Sequence, residues 1–460
     1  MIRIKYQLKP ADFENKLREF WSISGEKIRM IRQQGNAGEG SPVFTVQGKY
    51  TPRGWTEWTQ GFQIGSAILQ FDATEDSEFA AWGKKDTIAK MAGHVSDTGV
   101  HDHGFNNIST YGNLHRLMRE GRLPYNSKEK NFYELALKVS GAVQANRWTR
   151  TRGGGFIYSF NGPHSLFIDT IRSCRILIIS HLLDHVLKID NDATVNLLHR
   201  AMEHLATTAS WSVFYGEGRD VYDVWGRVAH ESLFNTNDGC YRCPGTQQGY
   251  SGFTTWTRGL AWAMLGFSEQ LELLHVLPAS DLEDAGGKEH LESVLLRAAT
   301  ATCDFYIKNA AADGIPYWDT GAPGLSKLGD YLNNNANPFN DSEPVDSSAA
   351  SIAAQGLLRL GNYFSMKKSM PEAERYGQAG LTIMDTLLGE PYLNTKREHQ
   401  GLILHSVYHR PNGWDYIPEG MKIPCGESSM WGDYHAREAA LYLQRLINRS
   451  SYYTFFSGLI

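Results

Sequence analysis

Cysteine is scarce in this chain. Cys174, Cys240, Cys243, Cys303 and Cys425 are the whole set in 460 residues. An odd, dispersed five does not make a disulfide framework. Cys240-Tyr-Arg-Cys243 has the spacing of a zinc pair, but no second ligand pair lies near it in sequence, so a metal is not expected. One-sided charge is also missing. The formal net charge is −5, with both signs spread along the chain. Without a basic block, a nucleic-acid partner is not expected, and an acidic ligand would need a local cluster of cations. The N-terminal stretch MIRIKYQLKPADFENKL has no apolar run long enough for a signal peptide or a membrane span. The expectation is a cytoplasmic protein off the membrane, or a periplasmic one if a leader has been removed. No low-complexity linker divides the chain and no fixed-period repeat is visible. Strand signals are few and short, around 44–47 and 156–160.

What is present is helical periodicity. Apolar residues recur at helical spacing over 11–33, 57–72, 76–95, 105–121, 127–147, 165–188, 191–208, 254–276, 287–308, 345–364, 370–388 and 429–447. Asp72–Ser77 reads as a capped turn between two helices. Asp346-Ser347-Ser348 reads as a helix start ahead of the stripe Ile352, Leu357, Leu358 and Leu360. Twelve helices pair as six antiparallel hairpins, and a ring of hairpins closes into an α/α barrel. The expected fold is therefore all-α, a six-hairpin (α/α) barrel in one domain over 1–460, with 1–54 as an accessory helix and loop segment. The polar stretch 324–344 reads as one long loop, the kind that is often functional.

Aromatic residues make up 12% of the chain. Core packing is the plain reading. Several rings, however, sit beside glycine and polar residues, as in Tyr50-Thr51-Pro52-Arg53-Gly54-Trp55 and Gly413-Trp414-Asp415-Tyr416. Loop aromatics of that kind also line sugar clefts, because the apolar face of a sugar ring stacks on them.

Four segments could carry chemistry. Gly99-Val-His-Asp-His-Gly-Phe105 sets Asp102 between His101 and His103. Asp102 is either an N-cap or a working carboxylate, and the two histidines could ligate a metal only on non-helical backbone. Asp169 lies in an apolar, helix-forming run with Arg172 three residues on. That spacing offers an Asp–Arg pair as readily as a catalytic acid. Burial raises an Asp pKa and a nearby Arg lowers it, so a proton donor needs burial to prevail. In Gly249–Trp262, Arg258 lies between Trp256 and Trp262 and suits a planar carboxylate, or else two Trp rings simply start a core helix there. His230 is a further candidate, more often a satisfied histidine than a catalytic one when taken singly.

The ordered blocks EWTQGFQIG, HDHGF, FID, QQGYSGFTTWTRGLAW, GIPYWDTGAP, DSSAASIAAQGLL, LHSVYHRPNGWD and SSMWGDYHAREAAL resemble the unsaturated glucuronyl hydrolases of glycoside hydrolase family 88. The resemblance runs from about Trp55 to Leu446. It implies a six-hairpin α/α barrel with no metal or cofactor. It also implies removal of a 4,5-unsaturated uronic acid from the non-reducing end of an oligosaccharide. The chemistry it implies is hydration of a vinyl ether, in which C4 is protonated, water adds at C5, and the hemiketal opens to expel the aglycone. By position in the blocks, Asp169 matches the acid/base and Asp102 the assisting Asp. His230, Gln248, Trp256, Arg258 and Trp262 fall where the family has substrate-binding side chains, and Arg172 stands close enough to join them. A raised pKa is expected for Asp169 and an ionised state for Asp102.

The chain departs from the family around this site. The family's Met-Met-Asn is replaced by Ile171-Arg172-Ser173. Gln247 stands for the usual His, Leu260 for the usual Gln, and Gln63 for an aromatic. A cation at Arg172 would hold Asp169 ionised, which suits a base. Three other functions therefore stand beside the first. They are hydrolysis of a saturated β-glucuronide by the same carboxylates, a sugar isomerase or epimerase using His101, His103 and His230 as proton shuttles, and a non-catalytic sugar-binding protein, against which the two matched Asp residues argue. The oligomeric state is not legible.

Overall fold

The computed structural model describes residues 1–34, 40–54, 57–450 and 452–460; Trp55 of the first loop-aromatic stretch lies outside them. The helices are α1 (Glu14–Gln34), α2 (Gln60–Thr74), α3 (Ser77–Lys90), α4 (Ala92–Ser96), α5 (His103–Asn107), α6 (Asn113–Arg119), α7 (Ser127–Asn146), α8 (Thr170–Ser173), α9 (Arg175–Leu182), α10 (Leu197–Trp211), α11 (Thr257–Val276), α12 (Lys288–Asn309), α13 (Ser347–Met366), α14 (Met370–Leu387) and α15 (Met430–Ile447). A π-helical turn, Ile108–Gly112, joins α5 to α6. α8 and α9 meet at Cys174. Both expected caps form. Asp76 accepts from the amide of Glu78, and Asp346 accepts from the amides of Ser348 and Ala349.

The helices sort by burial. α11, α13 and α15 are buried nearly all round, as are most of α2 and of the α5–α6 and α8–α9 pairs. A helix without a polar face has to lie inside. These six touch in a closed cycle: α2 with α5, α5 with α8, α8 with α11, α11 with α13, α13 with α15, and α15 with α2. Half-exposed helices cover them, among them α3 on α2, α7 on α9, α12 on α11 and α14 on α13. The N-terminal α1 packs on both α2 and α15, so it completes the outer layer. Glycine permits the tightest seams. A Cβ at Gly104 would stand 2.0 Å from the Ser173 carbonyl oxygen, and one at Gly356 would stand 2.9 Å from the Leu265 nitrogen. One hydrophobic cluster runs from Ile2 to Phe456.

Short antiparallel strands decorate this frame. They are β1 (Ser41–Val46) with β2 (Lys49–Arg53), β3 (Trp148–Thr151) with β4 (Gly154–Ile157), β6 (Val186–Lys188) with β7 (Thr194–Asn196), and a three-stranded sheet of β5 (Ser165–Phe167), β8 (Glu231–Phe234) and β9 (Tyr241–Gly245). β5 corrects one expected helix. Residues 165–167 pair with 231–233, so helix begins only after Asp169. Short apolar runs do not distinguish the two states by periodicity. Among the described residues no helix is long and apolar enough to cross a membrane.

Candidate active site

Asp102 immediately precedes α5, and Asp169 immediately precedes α8. An Asp there ordinarily accepts from an amide of the first turn, yet neither side chain makes a capping bond. The salt-bridge alternative also fails. Arg172 donates from Nε and Nη2 to Glu269 of α11, both at 3.1 Å, and from Nη2 to Glu438 of α15 at 2.5 Å. It is completely buried. The expected contact of Arg172 with substrate, and its hold on Asp169, are thus corrected: two buried glutamates claim the guanidinium and draw it to the helix ring's interior. Both aspartates are left without the partner that a structural role would supply.

They open instead on a cavity of about 330 Å³ at the N-terminal ends of the inner helices. It is lined by His101, Asp102, Asp169, Gln248, Trp256, Arg258 and Trp262, with Trp58, Phe160 and Phe167 among the walls. The volume is at the small end for a ligand site. His101 stands between the carboxylates. Its Nε2 is 3.5 Å from Asp169 Oδ1 and 3.9 Å from Asp102 Oδ1. The Phe160 amide donates to Nδ1 at 3.3 Å, so the ring's hydrogen belongs on Nε2, facing the two acids. Burial lowers the His101 pKa, but the charges of Asp102 and Asp169 outweigh it and the net shift is upward. The hydrogen that meets the two acids is therefore the one on Nε2.

The two acids divide. Burial raises Asp102, and the charge of Asp169 adds to that against the pull of His101. Burial also raises Asp169, but the hydrogen bond and charge of His101, with a contribution from His230, bring it below its ordinary value. The expectation of a raised Asp169 beside an ionised Asp102 is therefore reversed: Asp102 is the raised member and Asp169 the lowered one. Asp102 is the weaker acid of the two and Asp169 the stronger. Histidines, which are poor helix-cap partners but good donors, decide this rather than Arg172.

His230 reaches Asp169 from the end of the central strand, where its carbonyl accepts from the Ile168 amide. The amides of Gln247 and Gln248 donate to its Nδ1 at 3.0 and 3.4 Å. Nε2 therefore carries the hydrogen, and it has no partner among the described residues. Burial holds the ring near pKa 4, hence neutral. Phe167 and Trp256 clamp it, with ring centroids 4.5 and 4.7 Å away.

Arg258 lies between the rings of Trp256 and Trp431, 4.6 and 4.8 Å from their centres. Its terminal nitrogens donate to Asp346, the carbonyls of Val407 and Tyr408, and Gln248 Oε1. These bonds occupy the fork expected to grip a uronate. Because Arg258 can only donate, Gln248 must present its oxygen to it. The Gln248 NH₂ group is then free of protein partners among the described residues. His103 leaves the site, since Ser140 and the Asp97 carbonyl take both its nitrogens. The 324–344 loop supplies no wall of the cavity. Asn340 and Glu343 tie it down, with Glu343 accepting from Trp318 Nε1 and the Gly324 amide. Tyr50 is a core residue bonded to Asp433, and Trp414 packs on Tyr408 and His409.

Residue patterns had not singled out Trp58, Phe160 and Phe167. The signal was available, because Trp58 sits in the EWTQ block, Phe167 in FID, and Phe160 ends the second strand signal.

No family model matches the chain. A curated "Unsaturated glucuronyl hydrolase" of Formosa agariphila is 25% identical over 397 residues, 85% of this chain and 81% of that protein. Another, from Bacillus sp. (strain GL1), is 26% identical over 400 residues, 86% of this chain and 89% of that one. The crystal structure of an unsaturated glucuronyl hydrolase specific for heparin matches with a TM-score of 0.70 at 19% identity, covering 95% of this chain and 98% of the other.

Proposed function

We propose that this divergent relative of the unsaturated glucuronyl hydrolases is itself a glycoside hydrolase that removes a 4,5-unsaturated uronic acid from the non-reducing end of an oligosaccharide by hydrating its vinyl ether. Its architecture on this reading is a single-domain, six-hairpin α/α barrel, which the closed cycle of inner helices supports. The observation that carries the function is the pair of uncapped aspartates, paired with no arginine or lysine among the described residues, on either side of His101.

The chemistry follows from sharing one proton. Asp169 acts as the acid/base at the double bond and Asp102 assists as its proton partner. At rest the proton is on Asp102. It is delivered through Asp169 to C4, water adds its oxygen to C5, and the proton that the water sheds returns to the pair. Atoms and charge balance, and the hemiketal then opens to release the aglycone. The His230 Nε2–H and the Gln248 NH₂ group are neutral donors placed to hold the water and the uronate. Trp58 and Phe160 offer ring faces to the sugar.

The assay is loss of the alkene absorbance from lyase-generated unsaturated disaccharides. No loss with glycosaminoglycan, pectic or ulvan-type substrates, together with release from a saturated aryl glucuronide, would overturn the proposal. The pH profile of kcat/KM follows from the shared proton. Activity rises as Asp169 ionises, below the usual carboxylate range, and falls as Asp102 loses its proton, above that range. A profile lacking the alkaline limb would refute the one-proton pair. Replacing His230 with Ala removes that N–H, so kcat/KM drops roughly 10- to 100-fold; Tm falls as well, because the ring is packed between Phe167 and Trp256 and accepts from the amides of Gln247 and Gln248. Full activity in that variant would remove His230 from the site.

A further inference from the structure

Among the described residues the most deeply buried arginine side chains are Arg172, Arg175, Arg258, Arg359 and Arg437. The first four lie within 4 Å of a carboxylate. Among the described residues Arg437 pairs with none. Asp433 is one helical turn away on α15, but its oxygens accept from Tyr50, Ser428 and the amides of Leu402 and Ile403. Arg437 donates from Nε to Ser24 at 2.8 Å and from Nη1 to Ser66 at 3.2 Å, and Nη2 has no partner. The charge of Asp433 still acts on Arg437, but among the described residues no carboxylate oxygen stands within ion-pair distance of the guanidinium, and a cation buried in that way is costly to hold.

The same side chain lines a separate cavity of about 310 Å³ between α1, α2, α3 and α15. Gln63 and Ser66 share its polar end, and Ile31, Ala67 and Trp82 form part of an apolar wall. Gln63 is one of the departures from the family blocks. The remaining charges on the lining are Arg32 and Asp86, which pair with each other, and Lys90. The cavity lining therefore carries an excess of positive charge, a guanidinium with one nitrogen lacking a partner among the described residues, and an apolar portion.

We propose that this cavity binds a small amphipathic carboxylate, with its head on Arg437 and its hydrocarbon body against Ile31, Ala67 and Trp82. A monoanion matches the single unpaired arginine, and a carboxylate matches the planar donor fork. The apolar wall excludes a bare inorganic anion as the best fit, since it would leave that surface uncovered.

Hexanoate is the probe and 1-hexanol its uncharged control, titrated against the full chain with Tm and calorimetric heat as readouts. Hexanoate raises Tm saturably and binds roughly tenfold or more tightly than hexanol. Arg437→Met abolishes that preference. Ala67→Leu fills the apolar end and weakens hexanoate while leaving disaccharide hydrolysis unchanged. Equal binding of acid and alcohol, no saturable binding of hexanoate, or unaltered binding in Ala67→Leu overturns the proposal. The last two results decide the matter even if Arg437→Met does not fold.

Discussion

Asp169→Asn lowers kcat/KM on an unsaturated disaccharide by roughly 10²- to 10⁴-fold, the contribution of a positioned acid/base. The substitution preserves shape and breaks no cap and no arginine pair, because Asp169 caps nothing and Arg172 is engaged elsewhere; what it removes is the charge that faces His101. Tm accordingly stays close to that of the parent chain. Asp102→Asn produces a loss of similar order, because the pair then has no carboxylic acid at rest. It also removes the alkaline limb from whatever activity survives, since Asp102 is the raised member. Steady-state kinetics across pH on both variants is the measurement. Retention of most activity by Asp169→Asn would dismiss the site assignment outright.

Arg172→Met has the opposite signature. It strips the cation from between Glu269 and Glu438, both of which are fully buried. Arg175 remains, but at 3.8 and 3.9 Å from those two acids it compensates poorly. Breaking one side of such a cluster costs about 3–5 kcal/mol, read as a fall in Tm and in the denaturation midpoint. KM for the folded fraction stays where it was, because Arg172 does not line the cavity. The triple change Arg172→Met, Glu269→Gln and Glu438→Gln recovers stability in part, as removal of all the charges avoids leaving one stranded. A raised KM with an unchanged Tm in Arg172→Met would restore the residue to the substrate site.

Helix content was largely legible before any coordinates, because burial on a ring interior imposes apolar periodicity that survives in the sequence. The Asp346 and Asp76 caps were legible for the same local reason: a side chain bonding two or three residues ahead leaves its mark in a short window. The strand at 165–167 was not, since its partners lie more than sixty residues later. Asp169 consequently looked like the interior of a helix when it stands at a strand-to-helix junction.

The candidate residues show the same division. The ordered blocks pointed to Asp102, Asp169, His230, Gln248, Trp256, Arg258 and Trp262, and the structure brings all of these to one end of the inner helices or just behind it. The electrostatics went the other way. At three residues' spacing Arg172 seemed poised to ionise Asp169, yet α8 turns it to glutamates from α11 and α15, while His101, weighed only as a metal ligand or proton shuttle, takes the place between the acids. Which side chains are present, and which stretches are helical, is local information carried by the chain itself. Which charge faces which acid, and so where the proton rests, depends on contacts between segments far apart in sequence, and only the packing of the inner helices decided it.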